Sequence, residues 1–210
     1  MELDRSMVTA ADYHDAIAVT RKAKSTVALL ALLMLLGQLA LFLTARYTTL
    51  IVPDASTATT QPVEPTRLSQ LLHYALGLTV FVGMACGVLL SLLLLLLMLI
   101  MLSGRLLGVG RVASALVLSL VLLVMLFPWQ AFLGGELLTR DFVIPGVLFT
   151  WDELRSGAKF VNDFSGVDAA SATVLKWARF AAFPLIAVIL LLLVQKRSAR
   201  GIREAVSEPI

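Results

Sequence analysis

The stretch Leu72–Leu102, LHYALGLTVFVGMACGVLLSLLLLLLMLIML, contains no Asp, Glu, Lys or Arg. A membrane-spanning helix needs about 20 mainly apolar residues, because each residue rises about 1.5 Å and the hydrocarbon core is about 30 Å thick. The quoted stretch therefore predicts a membrane helix. At roughly 45 Å it is longer than the core, so it must tilt or project beyond the hydrocarbon.

Three further apolar runs have the same character, and the whole composition agrees with them. The chain has 59% hydrophobic residues and a mean hydropathy of +0.92, which is too apolar for a soluble domain of 210 residues. We predict an all-α integral membrane protein with a four-helix transmembrane domain over 26–195, an N-terminal segment 1–25 and a tail 196–210. The predicted spans are about 26–45, 72–102, 112–129 and 177–195, and the outer loops are 46–71 and 130–176.

Basic residues predict the orientation. About ten of the 17 Lys and Arg residues fall in short segments beside one set of helix ends, and positive-inside logic places that side in the cytoplasm. All three Trp residues fall on the other side, where indole rings favour the headgroup region. We therefore expect a multi-pass protein of the cell membrane with both termini cytoplasmic. The ten basic residues are Arg5, Arg21, Lys22, Lys24, Arg105, Arg111, Lys196, Arg197, Arg200 and Arg203.

Small residues in the second span predict close helix contact. Gly83 and Gly87 form a small-xxx-small pair, which lets another backbone approach closely. The approaching helix can belong to the same chain or to another subunit. In the fourth span, Pro184 is expected to bend the helix unless neighbours satisfy the freed carbonyl.

The second outer loop contains an apolar segment, Phe142–Trp151, that is too short to cross a membrane. Pro145-Gly146 predicts a turn within it, and Thr150 can cap a following helix. The segment can lie in the interface, dip back among the helices or pack on a neighbour. We expect Phe142, Phe149 and Trp151 to contact a partner or the interface. Arg179, in the first turn of the fourth span, is also expected at the interface or a partner contact: it can snorkel to headgroups, or pair with Glu136, Asp141 or an acidic group on a partner.

Residues with catalytic or metal-binding chemistry are few. The single cysteine, Cys86, excludes an intramolecular disulfide, and His14 and His73 fall on opposite sides of the predicted membrane. Asp12 and Asp15 beside His14 are more typical of a solvated helix face than of a metal site. We expect no enzyme activity, no cofactor and no metal. The net charge of +3 reflects topology rather than binding to nucleic acid.

These patterns favour a non-catalytic function. The spans lack buried charge, which argues against a proton relay or an ion pathway. The leading hypothesis is a structural or accessory subunit of a larger membrane complex, contacting membrane lipids and either other membrane subunits or further copies of itself. The alternative is a carrier or binding protein for a lipid, a quinone or another apolar ligand, and a membrane enzyme comes third.

Overall fold

The computed structural model describes residues 10–48, 67–127, 146–151, 154, 173–174 and 176–207. Helix α1 covers Ala10–Tyr47, α2 covers Arg67–Ser103 and α3 covers Val109–Leu126. A π-helical turn, Ala178–Ala182, leads directly into α4, Phe183–Ser207. Within these described residues, four helices are long and apolar enough to cross a membrane, which confirms the predicted helical membrane class.

Two helices extend beyond the apolar runs. Helix α1 begins at Ala10, so the described part of the N-terminal segment continues the first span as one helix. In the same way, the tail continues α4 to Ser207. Burial explains both extensions, because Ile17, Ile202 and Ala205 lie in the core well beyond the apolar windows. Helical stability in a folded protein comes largely from packing one face, and both extensions have such a face.

Helix α3 ends earlier than the sequence predicts. Its last helical residue is Leu126, and Phe127 is extended with ψ 133°. The residue before a proline is driven out of the helical region, and Pro128 follows Phe127. With 18 residues, α3 is about half as long as the 37-residue α2.

The helices form a ring in which α1 packs on α2 and α4, and α3 packs on the same two neighbours. Buried positions recur at spacings of three and four residues, as in the core seam of a helical bundle. In α1 the buried positions are Ile17, Thr20, Lys24, Ala28, Ala31, Leu35, Gln38, Phe42 and Ala45. In α3 they are Val112, Ala115, Ser119, Leu122 and Leu126.

Each of the four helix interfaces contains a polar contact between side chains. Interhelical hydrogen bonds of this kind contribute to packing inside membranes. The pairs are Gln38–Thr79 between α1 and α2, Ser91–Ser119 between α2 and α3, Arg111–Glu204 between α3 and α4, and Lys24 with Gln195 and Ser198 between α1 and α4.

The bundle has a distinct core layer at each end. The basic-end layer consists of Ile17, Leu97, Met101, Val112, Ile202 and Ala205, and all four helices contribute to it. The loop-end layer consists of Phe42, Ala45, Leu76, Phe149, Leu154 and Phe180. No α3 residue belongs to the loop-end layer among the described residues, because α3 has already ended.

A glycine contact closes the basic end. Gly108, with φ 85°, precedes α3, and a Cβ built there would overlap the carbonyl oxygen of Gly201 on α4. A Cβ on Gly201 would lie 2.9 Å from the Gly108 oxygen and 2.8 Å from Cγ2 of Val112. The turn between α2 and α3 can therefore press against α4 only because both residues lack a side chain.

Candidate functional site

The segment Gly146–Phe149 occupies the corner of the bundle that α3 leaves empty. Gly146, Val147, Leu148 and Phe149 are all buried. Leu148 reaches the middle of the neighbouring helices, since a Cβ built on Gly83 would lie 3.6 Å from Leu148 Cδ2 and 3.8 Å from Met34 Cβ. Of the three arrangements left open by the sequence, the described part of the segment dips back among the helices of its own chain.

The segment is attached to the end of α3 by a backbone hydrogen bond. The Val147 amide donates to the carbonyl of Met125 at 2.9 Å. The last four carbonyls of a helix lack intrahelical partners, and Met125 lies in that last turn. Gly146 sits so close that a Cβ would lie 3.0 Å from the Phe127 carbonyl oxygen. The segment thus continues the α3 corner with non-helical backbone.

Arg179 holds the other side of this segment. Its Nη1 donates to the carbonyl of Gly146, and its Nη2 donates to the carbonyl of Leu148 at 3.2 Å. Irregular backbone is tolerated inside a membrane bundle only where its polar groups are satisfied, and a planar guanidinium can serve two carbonyls at once. The predicted partners Glu136 and Asp141 lie outside the described residues.

The π-helical turn places Arg179 at this position. Phe183 donates its amide hydrogen to the carbonyl of Ala178, an i to i−5 bond typical of a π-helix. Pro184 follows immediately and has no amide hydrogen to donate, so regular α-helical bonding is already interrupted there. Pro184 was the sequence signal for an irregularity, and the structure accommodates it by widening the preceding turn.

An aromatic cluster surrounds the segment at the loop end. Phe42 stacks on Phe180, with ring centroids 5.2 Å apart and an interplanar angle of 5°. Phe149 meets Phe180 edge to face at 5.4 Å, and Trp177 meets Phe42 in the same way at 5.7 Å. Such pairs are stabilising beyond their buried area, so the segment is anchored by more than Arg179.

His73 and Trp151 form the rim of this site. Their rings meet edge to face with centroids 5.3 Å apart, His73 is exposed and Trp151 is half-buried. Leu154 is fully buried, and its amide donates to the carbonyl of Thr150 at 3.0 Å, as in the first turn of a helix. Thr150 was predicted to begin a helix, but most of that predicted helix lies outside the described residues.

The residues predicted for helix packing lie at contacts within the chain. Gly83 faces Leu148 and Met34, and a Cβ on Gly87 would lie 3.1 Å from Leu126 Cδ1. Gly77, by contrast, has nothing within 4 Å of its Cβ position. Among the residues predicted to contact a partner, Phe149 is fully buried and Phe142 lies outside the described part of the chain. A contact with a partner through this region stays a prediction, and Trp151 is better placed for it than Phe149.

Two buried polar positions were not anticipated. Lys24, only 2% exposed, donates to Oε1 of Gln195 at 2.8 Å and to Oγ of Ser198 at 2.6 Å. Gln38 is fully buried, and its Oε1 has no hydrogen-bond partner. Both residues follow Ile17 in steps of seven, with Ala31 between them, and this spacing was the available signal.

The described residues hold no group of three or more His, Cys, Asp or Glu side chains that could bind a metal ion. The site consists of the docked segment Gly146–Phe149, the Arg179 guanidinium that clamps two of its carbonyls, and the surrounding aromatic cluster. It can hold a backbone or an apolar group in place, and its hydrogen-bonding groups include those of Arg179, Gln38 and Thr79.

No protein-family model, curated protein or solved structure matches this chain.

Proposed function

We propose that the chain is a non-catalytic structural or accessory subunit of a larger membrane complex. The observation that carries this proposal is the filled axis of the bundle. Large apolar side chains from α2 and α3 are fully buried along it: Leu90, Leu94, Leu97, Met101, Leu122 and Leu126. Interior polar groups link neighbouring helices instead of lining a path, so the fold is suited to holding a shape.

Partner contact would use the loop end. Trp151 and His73 stand at the rim of a segment that is fixed from within, so they present a surface whose backbone is already ordered. Preordered surfaces lose less conformational entropy on binding. We therefore place the partner surface at Trp151 and His73.

The test is purification from native membranes in a mild detergent, followed by mass spectrometry of the chains that co-purify. Replacing Trp151 and His73 by Ser should release those chains while the protein stays folded. The matched control is Phe81→Ser, which also alters an exposed aromatic residue but lies farther along α2. An unchanged set of chains in the Trp151 and His73 variant would rule out this surface.

The second candidate function is a binding protein for a lipid, a quinone or another apolar ligand. Gln38 favours it, because a buried acceptor without a donor is costly and a ligand hydroxyl would satisfy it. Gln38 lies on the face of α1 between Leu35 and Phe42, which pack in the two core clusters that contain the docked segment. Extraction of lipids from purified protein should then give a bound hydroxylated species that Gln38→Leu loses. If both proteins yield the same extract, this candidate fails.

We further propose that both termini are cytoplasmic in the cell membrane, supported by the basic residues beside one set of helix ends. Single cysteines on a Cys86→Ser background test this. Ala58→Cys and Asp168→Cys should react with an impermeant reagent added outside intact cells. Arg200→Cys should react only after lysis, and the reverse pattern would invert the topology.

A further inference from the structure

The basic end of the bundle has an unequal surface. Helix α2 exposes four leucines there: Leu95, Leu96, Leu99 and Leu102. They lie level with the basic-end layer, because Leu97 and Met101 of the same helix turns pack in it with Ile17 and Ile202. The four leucines therefore lie at the same height along the bundle as the parts of α1 around Ile17 and of α4 around Ile202.

At this height, α1 and α4 expose charged residues. Asp15 and Arg21 are exposed on α1, and Arg200 and Arg203 are exposed on α4. One circumference of the bundle is thus apolar on the α2 side and charged on the α1–α4 side. If this level of the bundle lies in water, the four leucines remain exposed to water. If it lies in hydrocarbon, the charged side chains of α1 and α4 lose their hydration.

Tilting does not resolve this conflict. The apolar run Leu71–Leu102 of α2 is roughly 48 Å long, against a hydrocarbon core of about 30 Å. Placing all of it in lipid requires a tilt of roughly 50°, beyond the observed range of about 0–40°. Helix α1 packs along α2, and its apolar run Thr26–Ala45 of roughly 30 Å needs no tilt. At the level of Leu97 and Met101, α1 has already reached Ile17, well before its apolar run begins at Thr26, so lipid alone does not suit both helices there.

We propose that a second copy of this chain covers the leucine face of α2, formed by Leu95, Leu96, Leu99 and Leu102. Copies in one membrane share their orientation, so a two-fold axis along the bundle brings this face against its own counterpart at the same height. The match in length and level is automatic for a second copy.

Charge favours this face over the others for self-association. A two-fold axis places the residues that lie close to it beside their own copies, so a charged face at the axis meets like charge. From Gln70 to Ser103, α2 contains no Asp, Glu, Lys or Arg, and the exposed Arg105 follows only beyond Leu102, at the end of this face. The exposed faces of α1 and α4 at the basic end carry Arg21, Lys22, Arg197 and Arg200, which would oppose identical cations. The interface is therefore on α2 and keeps the charged faces outward.

Disulfide cross-linking in native membranes tests the contact. On a Cys86→Ser background, Leu99→Cys should give a cross-linked species of twice the chain mass after mild oxidation. The matched control is Val19→Cys, since Val19 is 69% exposed at the same end but lies on the charged face of α1. It should give no more than a trace of that species.

Three outcomes would overturn the proposal: no cross-link at either position, equal cross-linking at both, or a product containing a different chain. A second measurement uses light scattering of the purified full-length chain in mild detergent. The natural chain should show the dimer mass, Leu99→Arg the monomer mass, and Val19→Arg the dimer mass. A monomeric natural chain would also refute it. Because only this chain is present, the result is independent of the proposed accessory role.

Discussion

The basic end and the loop end of this bundle fill their core layers with different kinds of structure. At the basic end four helices each contribute apolar side chains to the core layer. At the loop end three corners are helical, and the fourth is filled by Phe149 of the docked segment together with Leu154. A helix satisfies its own backbone, whereas the segment depends on Arg179 and on the Val147 amide bond to Met125.

This difference predicts where each end is vulnerable. The basic end depends on close backbone approach at Gly108 and Gly201, so added volume should damage it. The loop end depends on a buried aromatic ring and a guanidinium, so lost groups should damage it.

Phe149→Ala should have the largest effect. Phe149 is fully buried, with no solvent-accessible surface, so truncating its side chain leaves a cavity. Such replacements cost about 3–5 kcal/mol of unfolding free energy. Thermal unfolding in detergent measures it, and Phe81→Ala, altering a ring that is 73% exposed, should shift the midpoint little. Equal shifts for the two variants would mean that the segment is not anchored at Phe149.

Arg179→Met should come next. It removes the donors to the Gly146 and Leu148 carbonyls while keeping much of the side-chain volume. We expect a loss of about 2–4 kcal/mol, since hydrogen bonds to charged groups are among the stronger ones. Limited proteolysis should cut the loop around residues 146–151 faster. Arg179→Lys should be cleaved at a rate between those of the natural protein and Arg179→Met, because the point charge of lysine cannot serve both carbonyls equally. Natural resistance to proteolysis in Arg179→Met would disprove the clamp.

Gly201→Val tests the basic end. The new side chain would meet the Gly108 oxygen and Val112, and overpacking of this kind costs about 1–3 kcal/mol. The thermal midpoint should fall, whereas Gly110→Val is the control because nothing lies within 4 Å of its Cβ position. The loop should keep its natural resistance to proteolysis. Faster cleavage there would show that the two ends are not independent.

Ser119→Ala should have the smallest effect. Ser119 and Ser91 share a buried hydrogen bond of 3.2 Å between α3 and α2. Interhelical hydrogen bonds in membrane proteins average about 0.6 kcal/mol in double-mutant cycles. The cycle with Ser91→Ala should therefore give a coupling below about 1.7 kcal/mol, the largest value in such series. A larger coupling would make this contact, and not the ends, the main determinant of the bundle.

The predictability of the candidate site differs from residue to residue. The apolar segment 142–151 and the irregularity at Pro184 were visible, because a short apolar run and a proline stand out in any context. The role of Arg179 could not be predicted, since its acceptors are backbone carbonyls about 30 residues earlier. Every residue carries a backbone carbonyl, so the sequence does not show which one will accept a hydrogen bond. Lys24 was counted among the flanking basic residues, although its spacing from Ile17 and Ala31 matches the buried seam.

The helical membrane class and the number of spans can be predicted from local sequence, because both follow from apolar runs of sufficient length and from their interruptions. The apolar run predicts that α3 extends to about 129, but the helix ends at Leu126 because Pro128 drives Phe127 out of the helical region. Which faces of the helices are buried depends on tertiary packing. Leucine occurs on every side of α2, so the pattern cannot distinguish the buried Leu90, Leu94 and Leu97 from the exposed Leu92, Leu95 and Leu96. In a lipid-facing bundle both faces are apolar, and the choice between them is made by packing.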